Sequence, residues 1–118
     1  MAEPGSLASR NMPLSDAILD KAYDIYDELG PDRRTPRAER LKQKIPGLSL
    51  ADLDELLAHM DRISKTVWSL AERGGEAKMK KEEIVATLQA AHPFLKDAGL
   101  TRAVFLVNYY AWHEGYDK

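Results

Sequence analysis

Three histidines, a row of carboxylates and a basic run are the groups in this chain that could do chemistry. The histidines are His59, His92 and His113, far apart in sequence. None sits four residues from another, so no helix presents a histidine pair to a metal ion, and boundary or surface positions are expected for all three. There is no cysteine, hence no thiol nucleophile, no thiolate metal ligand and no disulfide scaffold. A glycine-rich phosphate loop, a dinucleotide fingerprint and a Gly-x-Ser-x-Gly elbow are all missing. The expectation is a protein that is not an enzyme, with no cofactor and no small-molecule substrate inferred.

The carboxylates Asp16, Asp20, Asp24, Asp27 and Glu28 recur at helical spacing. They fall in one sector, opposite the apolar positions of the same segment. Glu-x-x-His, the spacing of di-iron bundles, is absent, and the stripe is expected to face solvent or a basic partner. The basic run that follows holds Arg33, Arg34, Arg37, Arg40, Lys42 and Lys44 against Glu39 alone. Such a cluster can contact phosphates, or it can pack beside the acidic first helix. It leads through Pro46-Gly47 into an N-capped helix, an arrangement resembling a helix-turn-helix. The would-be recognition helix, however, opens with Asp52, Asp54 and Glu55, which would repel DNA. Any nucleic-acid binding through 33–44 is therefore expected to be weak and non-specific.

The last segment, from Leu100 to Glu114, is apolar nearly all round. Read as a helix, it places Leu100, Ala103, Val104, Val107, Tyr110 and Ala111 on one face. Phe105, Asn108, Tyr109 and Trp112 share the other with Arg102 and His113. A helix with two apolar faces is either wrapped by its own fold or covered by a partner. Aromatic side chains with a polar handle are enriched at interfaces. Phe105, Asn108, Tyr109, Trp112 and His113 are thus the candidate partner-binding residues. The partner would be another protein chain, and a homodimer is one form of it.

The elements that must position these groups are marked by glycine and proline. Beyond residue 13 of the 118, the breakers cluster at 30–31, 36, 46–47, 74–75, 93, 99 and 115. The intervening segments have helical periodicity. Ser15 caps a first helix that carries Leu14, Ile18, Ala22, Ile25 and Leu29 inward. Thr35-Pro36 opens a short second helix. Ser49 with Asp52 forms a capping box for a long third helix, whose residues Leu50, Leu53, Leu56, Leu57, Met60, Ile63, Val67, Leu70 and Ala71 keep one face until Gly74. A fourth helix over about 80–91 turns Ile84, Val85, Leu88 and Ala91 inward, then breaks before Pro93. The residues 94–98 are expected to make about one further turn. Composition alone would also allow a strand at 103–112, but nothing else in the chain offers a partner strand.

The expected fold is all-α: a single compact bundle of five or six helices over 14–118, centred on a long helix at about 50–73 and the hydrophobic C-terminal helix. Residues 1–13 read as a flexible tail. With 17 basic and 19 acidic residues, the net charge of −2 gives no overall attraction to nucleic acid or anionic lipid. No secretory signal, lipidation motif or run of about 18 apolar residues is present, so a cytoplasmic address is expected by default. The pairs Ile45-Pro46 and Leu56-Leu57 loosely resemble ubiquitin-binding three-helix modules. The Met-Phe of those modules has no counterpart here, and no residue role is carried over.

Overall fold

The computed structural model describes residues 14–27 and 35–118, so the expected tail at 1–13 lies outside it, as do Glu28, Leu29, Arg33 and Arg34. The described residues form five α-helices and no strand: α1 Asp16–Tyr26, α2 Arg37–Lys44, α3 Leu50–Glu72, α4 Lys81–Ala91 and α5 Ala98–His113. A single 3₁₀ turn, Gly75–Ala77, joins α3 to α4. The fold is an all-α bundle, and 103–112 is helix.

Local chemistry sets the ends of these helices. The Ser15 hydroxyl accepts from the Ile18 N–H at the start of α1. At α3, Ser49 Oγ accepts from Asp52 N, and the Asp52 carboxylate accepts in return from Ser49 N. That reciprocal box satisfies two amide donors that a helix start otherwise leaves without a partner. Gly74 closes α3 at φ 100°, a left-handed conformation that a side chain makes costly. Pro36 itself is the N-cap of α2, one residue later than Thr35.

The long helix α3, 23 residues, packs against all the others. Its inward face is Leu53, Leu56, Met60, Ile63, Val67, Leu70 and Ala71, all buried. Leu50 departs from the expected face: it is 78% exposed, although Asp52 and Leu53 of the same first turn are buried. Leu57 is half-buried, whereas its neighbour Leu56 is fully enclosed. Ala91 is likewise exposed at the end of α4, where Ile84 and Leu88 carry the packing. The segment 93–97 makes a turn rather than a helix, yet it buries Phe94 and Leu95 in the core.

The helix α5 lies against α1, α3, α4 and the 3₁₀ turn. Gly99, Ala103, Val104, Leu106, Val107 and Ala111 form its buried side. Small residues at 99, 103 and 111 let neighbouring backbones approach closely. At Gly99 the approach is extreme: a Cβ there would stand 2.2 Å from the Asp20 carbonyl oxygen.

The acidic stripe is where the structure most changes the expected picture. Asp20 and Asp27 are buried. Asp20 reaches from α1 to the start of α5. Its Oδ1 accepts from the N–H groups of Lys96 at 2.8 Å and Asp97 at 3.1 Å, and its Oδ2 accepts from Gly99 N at 3.2 Å. A carboxylate from one helix therefore caps another, where the helix dipole also favours negative charge. Asp24 pairs with Arg102 of α5 at 3.1 Å, and Asp27 with Arg37 at 3.0 Å. Only part of the stripe faces solvent. The rest ties α1 to α5 and α2.

A candidate interaction face on the last helix

Burial of one side of α5 fixes what the other side presents. Phe105 is 48% exposed and Trp112 65%. Tyr109 between them is half-buried. The rings form a continuous array. Phe105 stacks with Tyr109 at 6.0 Å between centroids, and Tyr109 stacks with His113 at 5.6 Å and meets Trp112 at 6.1 Å. Tyr110 extends the array to α3, stacking almost parallel on Trp68 at 4.2 Å. Spacings of this kind are ordinary for aromatic pairs. They leave less rotamer freedom to be lost when a partner covers the rings.

Two of the five candidate residues have internal tasks as well. Asn108 Oδ1 accepts from Glu76 N at 2.8 Å, and its Nδ2 donates to the Glu76 carboxylate. Asn108 therefore anchors the 3₁₀ turn to α5 rather than standing free on the face. His113 Nδ1 lies 3.1 Å from a Glu114 carboxylate oxygen at the exposed end of the helix. Leu106, which the periodicity assigns to neither face, is fully buried.

The described part of the basic run is largely engaged within the molecule. Arg40 is buried, and its guanidinium donates to the carbonyls of Thr35 and Ile25. Arg37 donates to Asp27 and to the Tyr26 carbonyl while its guanidinium lies over the Tyr26 ring at 4.7 Å. Lys42 is 3.6 Å from Glu39. The packing alternative for this segment, beside the acidic first helix, describes Arg37 and Arg40. Arg33 and Arg34 lie outside the described residues.

Between α1, α2 and α3 is a polar recess of about 290 Å³, lined among others by Tyr23, Asp27, Arg37, Ser64, Trp68 and Tyr110. The Tyr23 hydroxyl is buried facing Asp27 and Ser64, and makes no hydrogen bond of ordinary geometry. Burial and the nearby Asp27 charge push its pKa up, so the phenol stays protonated. The charges around the recess are matched internally, Arg37 with Asp27 and Lys65 with Asp61 at 3.1 Å.

The histidines do not converge on one site. Among the described residues, no group of three or more His, Asp or Glu side chains is placed to hold a metal ion. His92 is buried, its Nε2 2.8 Å from Thr66 Oγ1 and its ring beside Phe94. His59 packs edge-on against the same Phe94. Burial, reinforced by the positive charge of Arg62, lowers both histidine pKa values. A histidine held below its unfolded value, about 6.5, binds fewer protons folded than unfolded. Stability then falls as pH drops through that unfolded value and stops falling below the folded one. Thermal melts are expected to show this acid-side loss, reduced in His92→Gln. An identical pH profile for His92→Gln would show that His92 does not carry it.

No protein-family model matches the chain, and no curated protein or solved structure matches it. Among the described residues no helix is long and apolar enough to cross a membrane.

Proposed function

We propose that this protein is a non-enzymatic interaction module whose α5 aromatic face is covered by another protein chain. The observation that carries the reading is the exposure of Phe105 and Trp112 on a helix whose opposite side is largely buried in the core. Large apolar side chains left in contiguous contact with water mark binding surfaces. Trp and Tyr are also prominent among the residues that dominate binding energy. The aromatic array is pre-ordered by its ring contacts and has two polar ends, Arg102 and His113-Glu114. A nucleic-acid role for 33–44 draws less support, since Arg37 and Arg40 already donate to carboxylate and carbonyl groups of the fold.

Native mass in cell extract tests the proposal. The tagged full chain is expected in a complex heavier than the monomer, and Phe105→Ala with Trp112→Ala should release it as monomer. Unchanged circular dichroism of the double variant would show that the fold survives. Wild type and variant eluting alike at monomer mass would overturn the reading.

A further inference from the structure

The connection between α4 and α5, residues 92–97, is fastened to the bundle by side chains rather than by regular structure. Within it, Leu95 N donates to the His92 carbonyl at 3.0 Å. From α4, Gln89 donates to the Leu95 carbonyl. Toward α1, the Lys96 and Asp97 N–H groups donate to Asp20. Toward α3, the fastening is a pair of imidazoles. Phe94 lies against both, with His59 edge-on at 5.5 Å between centroids and His92 tilted at 6.1 Å. His92 Nε2 also meets Thr66 Oγ1 at 2.8 Å. Phe94 and Leu95, both buried, hold the turn against the core.

The contacts of both rings require neutral imidazoles. Arg62 Nη2 stands 3.1 Å from His59 Nδ1. A guanidinium can only donate, so that nitrogen accepts and carries no proton. His59 keeps its proton on Nε2, 4.0 Å from the Glu55 carboxylate. The Thr66 hydroxyl spends its proton on the Arg62 carbonyl at 3.3 Å, so it accepts from His92 Nε2. In each ring a second proton must therefore enter at Nδ1. At His59 this sets an N–H against the Arg62 donor. At His92 it places a cation on a buried ring that already feels the charges of Arg62 and His59.

Little in the surroundings compensates. Among the described residues, Glu55 is the carboxylate within ion-pair reach of either ring. Gln89, which α4 contributes to the turn, is uncharged. Lys96 is directed to Asp16 of α1 at 3.9 Å, and Asp20 is committed to the turn's amides.

We propose that acid releases the 92–97 turn from α3 as a local event, with His59 and His92 as the proton-sensing pair and the five helices still folded. Once the turn lifts, His92 reaches water away from Arg62. Without Phe94 over it, the His59 ring is free to rotate away from the same guanidinium. Both rings bind protons more weakly in the closed turn than in the open one. Opening is therefore rare at neutral pH and grows as pH falls below the free-histidine value of about 6.5. It exposes Phe94 and Leu95 and withdraws two N–H donors from Asp20, so the change reaches the start of α5. This places the acid response in one segment rather than in the fold as a whole.

Native-state hydrogen exchange of the full chain, read by NMR at about pH 7 and about pH 5 and corrected for intrinsic rates, tests this. The amides of Leu95, Lys96 and Asp97 report the turn, and those of Met60 and Ile63 report global unfolding. The turn amides should open more often than the α3 amides at both pH values. Their opening constant should rise about fivefold or more on acidification. His59→Gln with His92→Gln should abolish the rise. Arg62→Gln, at an exposed position, tests the same pair without touching the turn. It should shrink the rise and move both histidine ring titrations to higher pH. Turn amides that open no more often than Met60 and Ile63 would show that 92–97 parts only with the whole fold, and would overturn the proposal. So would an opening constant indifferent to pH, or a rise that survives undiminished in the double variant or in Arg62→Gln.

Discussion

Asp20→Ala is expected to cost about 3 kcal/mol or more, although sequence periodicity places Asp20 among solvent-facing carboxylates. The substitution leaves the N–H groups of Lys96, Asp97 and Gly99 without their acceptor. The Gly99 N–H is buried and the other two are part-buried; a buried donor left unsatisfied typically costs about 1–3 kcal/mol, and the carboxylate's favourable place at the start of α5 is lost too. Asp20→Asn keeps one carbonyl oxygen for two of the three donors and turns an NH₂ toward the third, so its loss should be smaller. Gly99→Ala disturbs the same junction from the other side, since its methyl group would meet the Asp20 carbonyl. Urea unfolding measures all three. Asp20→Ala within about 0.5 kcal/mol of wild type, the usual surface value, would mean that the Asp20 cap does not stabilise the fold.

Leu56→Ala is expected to cost about 2–5 kcal/mol, the range for emptying a buried leucine site. Leu56 is fully enclosed in the second turn of the longest helix, in the core cluster that also holds Leu53, Met60 and Ile63. Leu57→Ala, one residue on, should cost clearly less, because Leu57 is only half-buried. Val67→Ala should also destabilise, by less than Leu56→Ala because two carbon atoms are removed rather than three. Thermal or urea unfolding of these three variants gives the order Leu56 above both others. Equal small losses at 56 and 57 would place the wrong side of α3 inward.

Much of this architecture is legible in the residues because it is local. The Ser49–Asp52 box, the left-handed Gly74 and the four- and three-residue apolar spacing of α3 each specify their structure within one or two turns. The same logic misjudges features decided at a distance. Asp20 looks like one carboxylate among several, and its three donors lie 76 to 79 residues away. Arg37 and Arg40 look like a phosphate-binding run until α1 supplies their acceptors. Leu50 and Ala91 fit an apolar period, yet each is exposed at the end of its helix. For α5, periodicity identifies two apolar faces but cannot say which is covered. The tertiary packing buries the side with Ala103, Val107 and Leu106 and leaves Phe105 and Trp112 outward. Periodicity places Asn108 on the outward face, and only the Gly75–Ala77 turn reveals its tie to Glu76.

The most direct measurement on the aromatic face is hydroxyl-radical footprinting of Phe105 and Trp112, with Trp68 as an internal reference. The full chain is labelled in cell extract and as dilute purified protein. If α5 is an interaction face, Trp112 and Phe105 should be modified several-fold more slowly in extract than in the dilute protein, while Trp68, already stacked on Tyr110, should change little. Equal modification of Trp112 in the two samples, relative to Trp68, would contradict the account.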